Sequence, residues 1–461
     1  MKKQFFYAAM ALAVMSSCSK DNDPGIGNPE ENNDKAVIAL GLDVPTVTAS
    51  TRGTGSVGDV AGDQNTWNSQ KLYIYMVDRN TGLEAEEGAE NAKTKILDNN
   101  VLEFRAPQAD AKDKGAIRIY KTYTEADDNG VIQYKYYPTN GQYTFYGYHI
   151  DDAANATPSI TATEKKVTNV TIDGTQDLLA AKTIDMAEND ASATDPESFY
   201  KEIATTLSSE WTELMKYQFG ARTARKGIVP VLKFEHQLAR LKFFVRAGSA
   251  SAAGYEWQTN QWVERKSSDN EPKTLGMQVT KITLKDMANV VDMDLTVPSS
   301  TRNGAGVADF VVCSKDAAAN NKLDPTKGLI VPVVPKYPYG DTNIPESDPD
   351  AKGTQVGEPV MFFPIDDPDN GNITLSIDLK QYVEDTKDEA TSTITYKEVE
   401  KADNKLIIDQ SKISGATKKF MPGASYNVYI TIYGLEKIEV TAVLTAWENG
   451  GDIDADIEDG K

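Results

Sequence analysis

The chain has 461 residues, enough for two or three domains with a sizeable core. It carries a formal net charge of −21 and only two histidines. Because nucleic-acid binding draws on clustered lysine and arginine, this composition argues against a nucleic-acid partner.

The first residues predict export. Two lysines precede an apolar run from Phe5 to Met15, which is too short to span a bilayer and has the length of a secretory h-region. The run ends in small residues before Cys18, and this ending resembles a bacterial lipobox. The resemblance implies that residues 1–17 are a lipoprotein signal peptide and that Cys18 is lipidated. The alternative is an ordinary signal peptide with a chance cysteine.

A strand is predicted next. Apolar residues occupy every second position, which is typical of a half-buried strand: Ala36, Ile38, Leu40, Leu42 and Val44. Pro45 ends the pattern, and a small, polar stretch leads to Arg52 and Gly53, a stretch flexible enough to enter a protease cleft. We therefore expect residues 18–52 to be a propeptide with a disordered tether and a removable strand. Arg222 and Arg225 are competing cleavage sites, but a cut after Arg52 follows a complete edge strand.

The body of the chain predicts strand after strand without βαβ alternation, which indicates an all-β fold of two β-sandwich domains, residues 53–300 and 301–461. The boundary is expected near residues 297–305. Asn-Gly in the turn before Tyr143 predicts a hairpin between residues 132–137 and 143–148. One inserted helix is expected in the N-terminal domain, from Asp195 and Pro196 to Gly220.

The end of the chain repeats the pattern of the first strand. Between residues 436 and 461, apolar residues again alternate with polar ones, at Ile438, Val440, Ala442 and Leu444 and then, after two glycines, at Ile453 and Ile457. A tail that is only solvated would not need this spacing. We expect a strand here that can pair outside its own domain.

No pattern of residues points to an enzyme, a cofactor or a metal. Residues 53–58 spell G-x-G-x-x-G, but no helical pattern follows them. His149 and His236 lack nearby ligands for zinc, so His236 is expected to be a hydrogen-bonded core residue, and Cys313 a small buried apolar side chain. The aromatic residues between 134 and 148 could form a stacking platform for sugars, although alternation places about half of them in the core.

Four features belong together: the lipobox at Cys18, the strand before Arg52, the stretch from Leu232 to Phe243 with its H-x-x-A-x-L pattern, and the segment from Met421 to Trp447. With these features the chain resembles the fimbrillins of the type V pilus of Bacteroidetes, which include major fimbrial subunits. The resemblance implies two transthyretin-like β-sandwich domains. It also implies an outer-membrane lipoprotein precursor that an arginine-specific, gingipain-like protease cuts after Arg52.

The same resemblance implies that the cut subunit accepts the C-terminal strand of a neighbouring copy, with residues 436–461 as the donor region. It also implies polymerisation into a fimbrium on the cell surface, a role in adhesion, and homopolymer, anchor and tip partners. The residue pattern supports this mechanism independently. Removing about five inward side chains leaves a groove that is unfavourable by roughly 8 to 15 kcal/mol, which a strand from another chain can fill by β-augmentation. Such head-to-tail pairing yields a filament. The alternative is a glycan-binding lipoprotein that stays monomeric and lipid-anchored.

Overall fold

A computed structural model describes the parts of the chain considered below. They are residues 36–43, 60–61, 64–65, 71–88, 93–98, 100–103, 118–121, 123–124, 133–186, 200–226, 228–259, 261–268, 274–315, 329–330, 353–365, 371–413, 419–435 and 438–445. The predicted all-β fold class is confirmed, because strands in several sheets make up most of the structure and the helices are few and short. In the described part of the chain, no helix is both long and apolar enough to cross a bilayer.

The strands up to the start of the H-x-x-A-x-L stretch are β1 (Ala39–Asp43), β2 (Val60–Ala61), β3 (Gln64–Asn65), β4 (Lys71–Asp78), β5 (Glu86–Glu87), β6 (Thr94–Lys95), β7 (Asn100–Glu103), β8 (Arg118–Lys121), β9 (Tyr123–Thr124), β10 (Gln133–Tyr134), β11 (Tyr143–His149), β12 (Thr157–Ile160), β13 (Lys165–Thr171), β14 (Leu179–Thr183) and β15 (Val231–His236). The helices between β14 and β15 are α1 (Lys201–Thr206), α2 (Ser208–Met215) and α3 (Ala221–Arg225).

The later strands are β16 (Ala239–Ala247), β17 (Tyr255–Gln258), β18 (Gln261–Glu264), β19 (Gln278–Ala288), β20 (Val290–Asp294), β21 (Ser299–Arg302), β22 (Val307–Ser314), β23 (Leu329–Ile330), β24 (Thr354–Phe362), β25 (Ile373–Asp388), β26 (Thr393–Ile408), β27 (Ser425–Ile432) and β28 (Ile438–Thr445). A short helix, α4 (Ala250–Ala253), follows β16, and a 3₁₀ turn, Gln410–Lys412, follows β26.

The largest sheet has seven strands in the order β7-β4-β11-β14-β15-β1-β8. β1 is parallel to β15 and antiparallel to β8, so it is an interior strand. The prediction that the strand before Arg52 is an edge strand is therefore wrong, because β8 pairs with its second side. Consecutive strands often pair through short turns, but β1 finds both neighbours far along the chain. The order of this sheet thus depends on long-range pairing.

The two faces of the seven-stranded sheet have different coverings. On one face, Ile38 and Leu40 share a buried apolar layer with the helices α2 and α3. On the other face, Tyr75 and Tyr148 share a core with Val167 and Val291, which belong to the four-stranded sheet β12-β13-β20-β21. The first part of the structure is therefore a sandwich with a helical insertion against its outer side.

Two further sheets pack on each other. One has the order β24-β16-β27-β28 and the other β22-β19-β25-β26. Their facing apolar side chains, including Phe243, Val428, Ile282 and Leu375, are all almost completely buried in one core. This second sandwich is joined to the first through β15 and β16, which are separated only by Gln237 and Leu238.

The helical insertion is divided, whereas a single helix was predicted. Its described part consists of α1, α2 and α3, and the backbone leaves helical geometry between them, at Leu207 and at Gly220, where φ is −161° and ψ is −176°. The apolar spacing survives the breaks, because Trp211, Leu214 and Phe219 are all buried. Asp195 and Pro196 lie outside the described residues.

The predicted hairpin between residues 132–137 and 143–148 is wrong. β10 pairs with β9, and β11 lies between β4 and β14. Residues 135–137 instead meet the first strand, because Ile38 donates its N–H to the Lys135 carbonyl oxygen at 2.9 Å and Tyr137 donates to Ala36 at 2.8 Å. Residues 135–137 therefore bond to the first strand and not to residues 143–148, which the Asn-Gly turn predicted as their partner.

Strand pairing joins segments on both sides of the predicted boundary near residues 297–305. β21 lies within that stretch and pairs with β20. Farther out, β16 pairs with β24 and β27, and β19 pairs with β25. The division into domains at residue 300 stays a prediction, and any such division has to allow for these pairings.

Candidate functional site

The first strand fills a slot between two strands that are not otherwise neighbours. We call this place the first-strand slot: the position of residues 36–43 between β15 and β8. Gly41 is in register with Val231 on one side and with Ile119 on the other. Gly41 also donates its N–H to the Pro230 carbonyl oxygen at 2.9 Å. Both edges of the first strand are therefore hydrogen-bonded to the rest of the sheet.

The side chains of the first strand are deeply buried where the structure describes them. Ala36 is 7% exposed, and Ile38 and Leu40 are 0% exposed. They share one apolar layer with Leu232 and Phe234 of β15. At about 1.5 to 3 kcal/mol for each fully buried aliphatic side chain, Ile38 and Leu40 together contribute about 3 to 6 kcal/mol.

The helical insertion closes the slot from behind and fixes the start of β15. The Tyr200 hydroxyl donates to the Val229 carbonyl oxygen at 3.0 Å and accepts the Val231 N–H at 2.8 Å. Burial raises the pKa of Tyr200, so this hydroxyl keeps its proton across the physiological range. Trp211 and Leu214 of α2 extend the same apolar layer. The back of the slot is therefore covered by buried, packed side chains rather than by solvent.

The predicted donor region begins with a strand that is paired within its own chain. β28 lies last in its sheet, antiparallel to β27, from Ile432 opposite Ile438 to Ser425 opposite Thr445. Val440, Ala442 and Leu444 are thus in a strand, as their alternation predicted, and the half-buried Ile438 packs against the core.

Several predicted site residues lie outside the described residues: Cys18, Val44, Arg52, Gly53, Ile453 and Ile457. Leu42 lies in β1, in register with Leu232. The competing cleavage site, by contrast, is well described. Arg222 and Arg225 belong to α3, where the Thr223 hydroxyl accepts the Gly220 N–H at 2.9 Å and the Thr223 side chain is fully buried. A helix held in this way does not present the extended backbone that a protease cleft binds.

One cleft is lined both by the H-x-x-A-x-L stretch and by the segment that begins at Met421. The two stretches are far apart in the sequence, so the sequence did not indicate this contact. The cleft has a volume of about 460 Å³ and is lined by residues 234–237, 298–300 and 422–423. At its wall, Nδ1 of His236 lies 3.0 Å from the Asp177 carboxylate. His236 is a buried, hydrogen-bonded residue, as expected.

Groups that could bind a metal or react, such as histidine and cysteine side chains, are few in the rest of the described structure. Within the described ranges, no group of three or more potential ligands could hold a metal ion. His149 is buried with Nδ1 2.9 Å from the Lys71 carbonyl oxygen, and burial lowers its pKa. Cys313 is fully buried, as expected.

Most of the described aromatic residues in the proposed sugar platform are buried. Tyr137, Tyr143, Phe145 and Tyr148 are all buried. They pack on other rings, as between Tyr148 and Tyr73, whose centroids are 4.8 Å apart. Side chains in this environment stabilise the sheet and offer no exposed stacking face. Tyr136 is partly exposed, so the described residues leave one ring and not a platform for the glycan-binding alternative.

No protein-family model matches the chain, and no curated protein matches it. Among solved structures, a candidate cell adhesion protein from Bacteroides uniformis is 12% identical with a TM-score of 0.37, over 91% of this chain and 100% of that one. A structure described as polysaccharide binding proteins from Bacteroides thetaiotaomicron is 8% identical with a TM-score of 0.31, over 89% and 96%. A fimbrial assembly protein from Parabacteroides distasonis is 10% identical with a TM-score of 0.28, over 88% and 95%. Likenesses at these levels assign neither a family nor a function to this chain.

Proposed function

We propose that this protein is the shaft subunit of a surface filament, assembled by exchange of the first strand. The precursor is a lipoprotein attached to the outer membrane through Cys18. An arginine-specific protease cuts between Arg52 and Gly53, and the first strand leaves with the lipid. The C-terminal region of the next copy then fills the first-strand slot.

One observation carries this proposal: the segment just before Arg52 is an interior strand of a sheet. An edge strand could be lost with little consequence, whereas loss of β1 leaves unpaired backbone on both β15 and β8. It also uncovers the apolar layer around Ile38 and Leu40. Exposed apolar surface and unpaired strand edges favour association with a new strand.

The geometry of the exchange favours a filament. The slot and β28 belong to different sheets, so one copy can receive a strand at the first sheet and offer its C-terminal region from another. Such a contact uses two different surfaces and does not close on itself, so copies add head to tail. A shaft subunit needs both a removable strand and a donor strand, whereas a tip or an anchor does not need both. The role expected of the finished filament is adhesion.

The test is the N-terminal sequence of the mature filament together with two variants. A mature chain that begins at Gly53, and loss of filaments in Arg52→Ala and in a chain ending at Leu435, would support the proposal. Arg225→Ala is the matched control and should assemble normally. Normal fibres from Arg52→Ala, or a mature chain that begins at Cys18, would overturn it.

A further inference from the structure

The C-terminal region contains two segments whose apolar spacing fits the first-strand slot. Ile438, Val440, Ala442 and Leu444 form one, and Ile453, Ala455 and Ile457 form the other. Both repeat at every second position, as Ile38 and Leu40 do, so apolar spacing alone does not choose between them. The choice matters because it defines which part of one copy binds its neighbour.

The first of these segments, which is part of β28, is already paired within its own chain. β28 makes eight register pairs with β27. Moving it into a neighbour's slot would uncover β27 and withdraw Ile438 from the core, so the exchange would gain one strand and lose another. A donor that follows β28 along the chain does not carry this penalty.

The strands beside the slot carry basic residues, although the whole chain is strongly acidic. Lys233 of β15 is exposed and stands in register with Asp43, and Lys182 stands opposite Lys233 on the next strand. On the other side, β8 places Lys121 in register with Ala39 and Arg118 in register with Leu42. The one acidic residue of β15 is Glu235, whose carboxylate lies 3.7 Å from the Lys233 ammonium.

We propose that the segment Asp452–Glu458 of a neighbouring copy occupies the first-strand slot and that its acidic residues recognise the basic residues beside it. This inference rests on the proposed function. With Ile453 at the place of Ile38, Ala455 and Ile457 take the places of Leu40 and Leu42. Asp454 then stands in register with Lys121, and Glu458 takes the register position of Asp43 opposite Lys233.

The other segment is a poorer match in charge. With Ile438 at the place of Ile38, the alternate positions hold Glu439, Thr441 and Val443, so that Val443 stands opposite Lys233. In the proposed donor, Asp454 and Glu458 stand in register with lysines, whereas Asp452 takes the place of the half-buried Val37 and Asp456 the place of the buried Gly41. Complementary charge across an interface speeds association and rejects wrong registers, so the acidic segment is the better partner for this slot.

Two truncations separate this inference from the proposed function. The full precursor is treated with an arginine-specific protease, and detergent-stable ladders are followed on unheated gels. A chain ending at Trp447 keeps β28 and should form no ladder, and a chain ending at Leu435 should form none either. Ladders from the first chain alone would overturn this inference and leave the proposed function standing. Ladders from both would overturn both.

Charge reversal tests the recognition itself, without removing any strand. Asp454→Lys with Glu458→Lys should slow ladder formation about tenfold at low salt, and the difference should shrink as salt is added. Adding Lys121→Glu and Lys233→Glu should restore the rate. Glu439→Lys is the matched control and should change the rate less than about twofold. An unchanged rate in the Asp454/Glu458 variant, or a larger effect of Glu439→Lys, would overturn the inference.

Discussion

Gly41 donates its backbone N–H to the carbonyl oxygen of Pro230 at 2.9 Å, at the point where the first strand meets β15. This contact joins a residue from the beginning of the chain to one almost two hundred residues later. Together with the pairing to β8 on the other side, it makes β1 an interior strand, and the consequences for stability differ between the precursor and a chain that has lost residues 1–52.

Leu40→Ala should destabilise the precursor by about 2 to 5 kcal/mol, because it leaves a cavity at a fully buried site. Urea unfolding of the uncut precursor measures this. Val37→Ala, at a half-buried position on the other side of the strand, is the control and should cost less than about 1 kcal/mol. After cleavage the position is gone, so filaments grown from the Leu40→Ala precursor should be as stable as those of the wild type. Weaker mature filaments would contradict the removal of this strand.

Gly147→Ala should destabilise the protein by about 1 to 3 kcal/mol through overpacking. A Cβ at this position would lie 2.9 Å from Cδ1 of Ile74 and 3.0 Å from Cζ of Phe234, both in the apolar layer behind the slot. Thermal unfolding by circular dichroism measures the change. Gly434→Ala has no heavy atom within 4 Å of its new Cβ and should leave the midpoint almost unchanged. Equal effects from the two substitutions would contradict tight packing at Gly147.

Arginine-specific proteolysis of the folded precursor should produce no fragment that begins at Lys226. Arg225 ends a short helix that the buried Thr223 hydroxyl ties to Gly220, with a second hydrogen bond to the Gly220 carbonyl oxygen at 3.0 Å. Mass spectrometry of the fragments makes the test. Thr223→Ala should loosen the helix and allow the cut, and urea should do the same in the wild type. A prompt cut after Arg225 in the native protein would contradict this expectation.

The folded protein should lose stability as the pH rises from about 10 to 12. Burial raises the pKa of Tyr143 from 10.0 to about 12, so the folded state holds the phenol proton more tightly than the unfolded state does. This contribution is complete below pH 10 and disappears as the pH passes the pKa of the folded state. Unfolding midpoints in urea across this range, with tyrosinate absorbance followed in parallel, measure it. Tyr143→Phe is the matched control and should show a shallower decline, and an identical decline would assign the loss to other groups.

The sequence predicted local features well and pairing partners poorly. Alternation at Ile38 and Leu40 predicted both a strand and burial, because a strand with one face in a core has a period of two whatever its neighbours are. The neighbours themselves, β15 and β8, lie far along the chain, and no local pattern encodes such a choice. The failed hairpin before Tyr143 has the same cause, since Asn-Gly permits a tight turn but does not oblige the flanking strands to pair.

The site was partly predictable for the same reasons. Apolar alternation in residues 438–444 predicted a strand, but only the structure shows that this strand pairs with β27. β21 falls where a domain boundary was expected, because its four residues are all polar and do not show the apolar alternation of a strand. The helix was predicted from apolar spacing, which continues across the breaks at Leu207 and Gly220 and so does not reveal them.

The direct continuation of β15 into β16 has a mechanical consequence for a filament built in the proposed way. Tension applied to the strand held in the slot passes to β15, along the chain to β16, and then through lateral hydrogen bonds to β27 and β28. Each of these pairs is loaded lengthwise, so many hydrogen bonds must break together rather than one after another. A pull on the fibre is therefore resisted by shear between neighbouring strands, from the slot to β28.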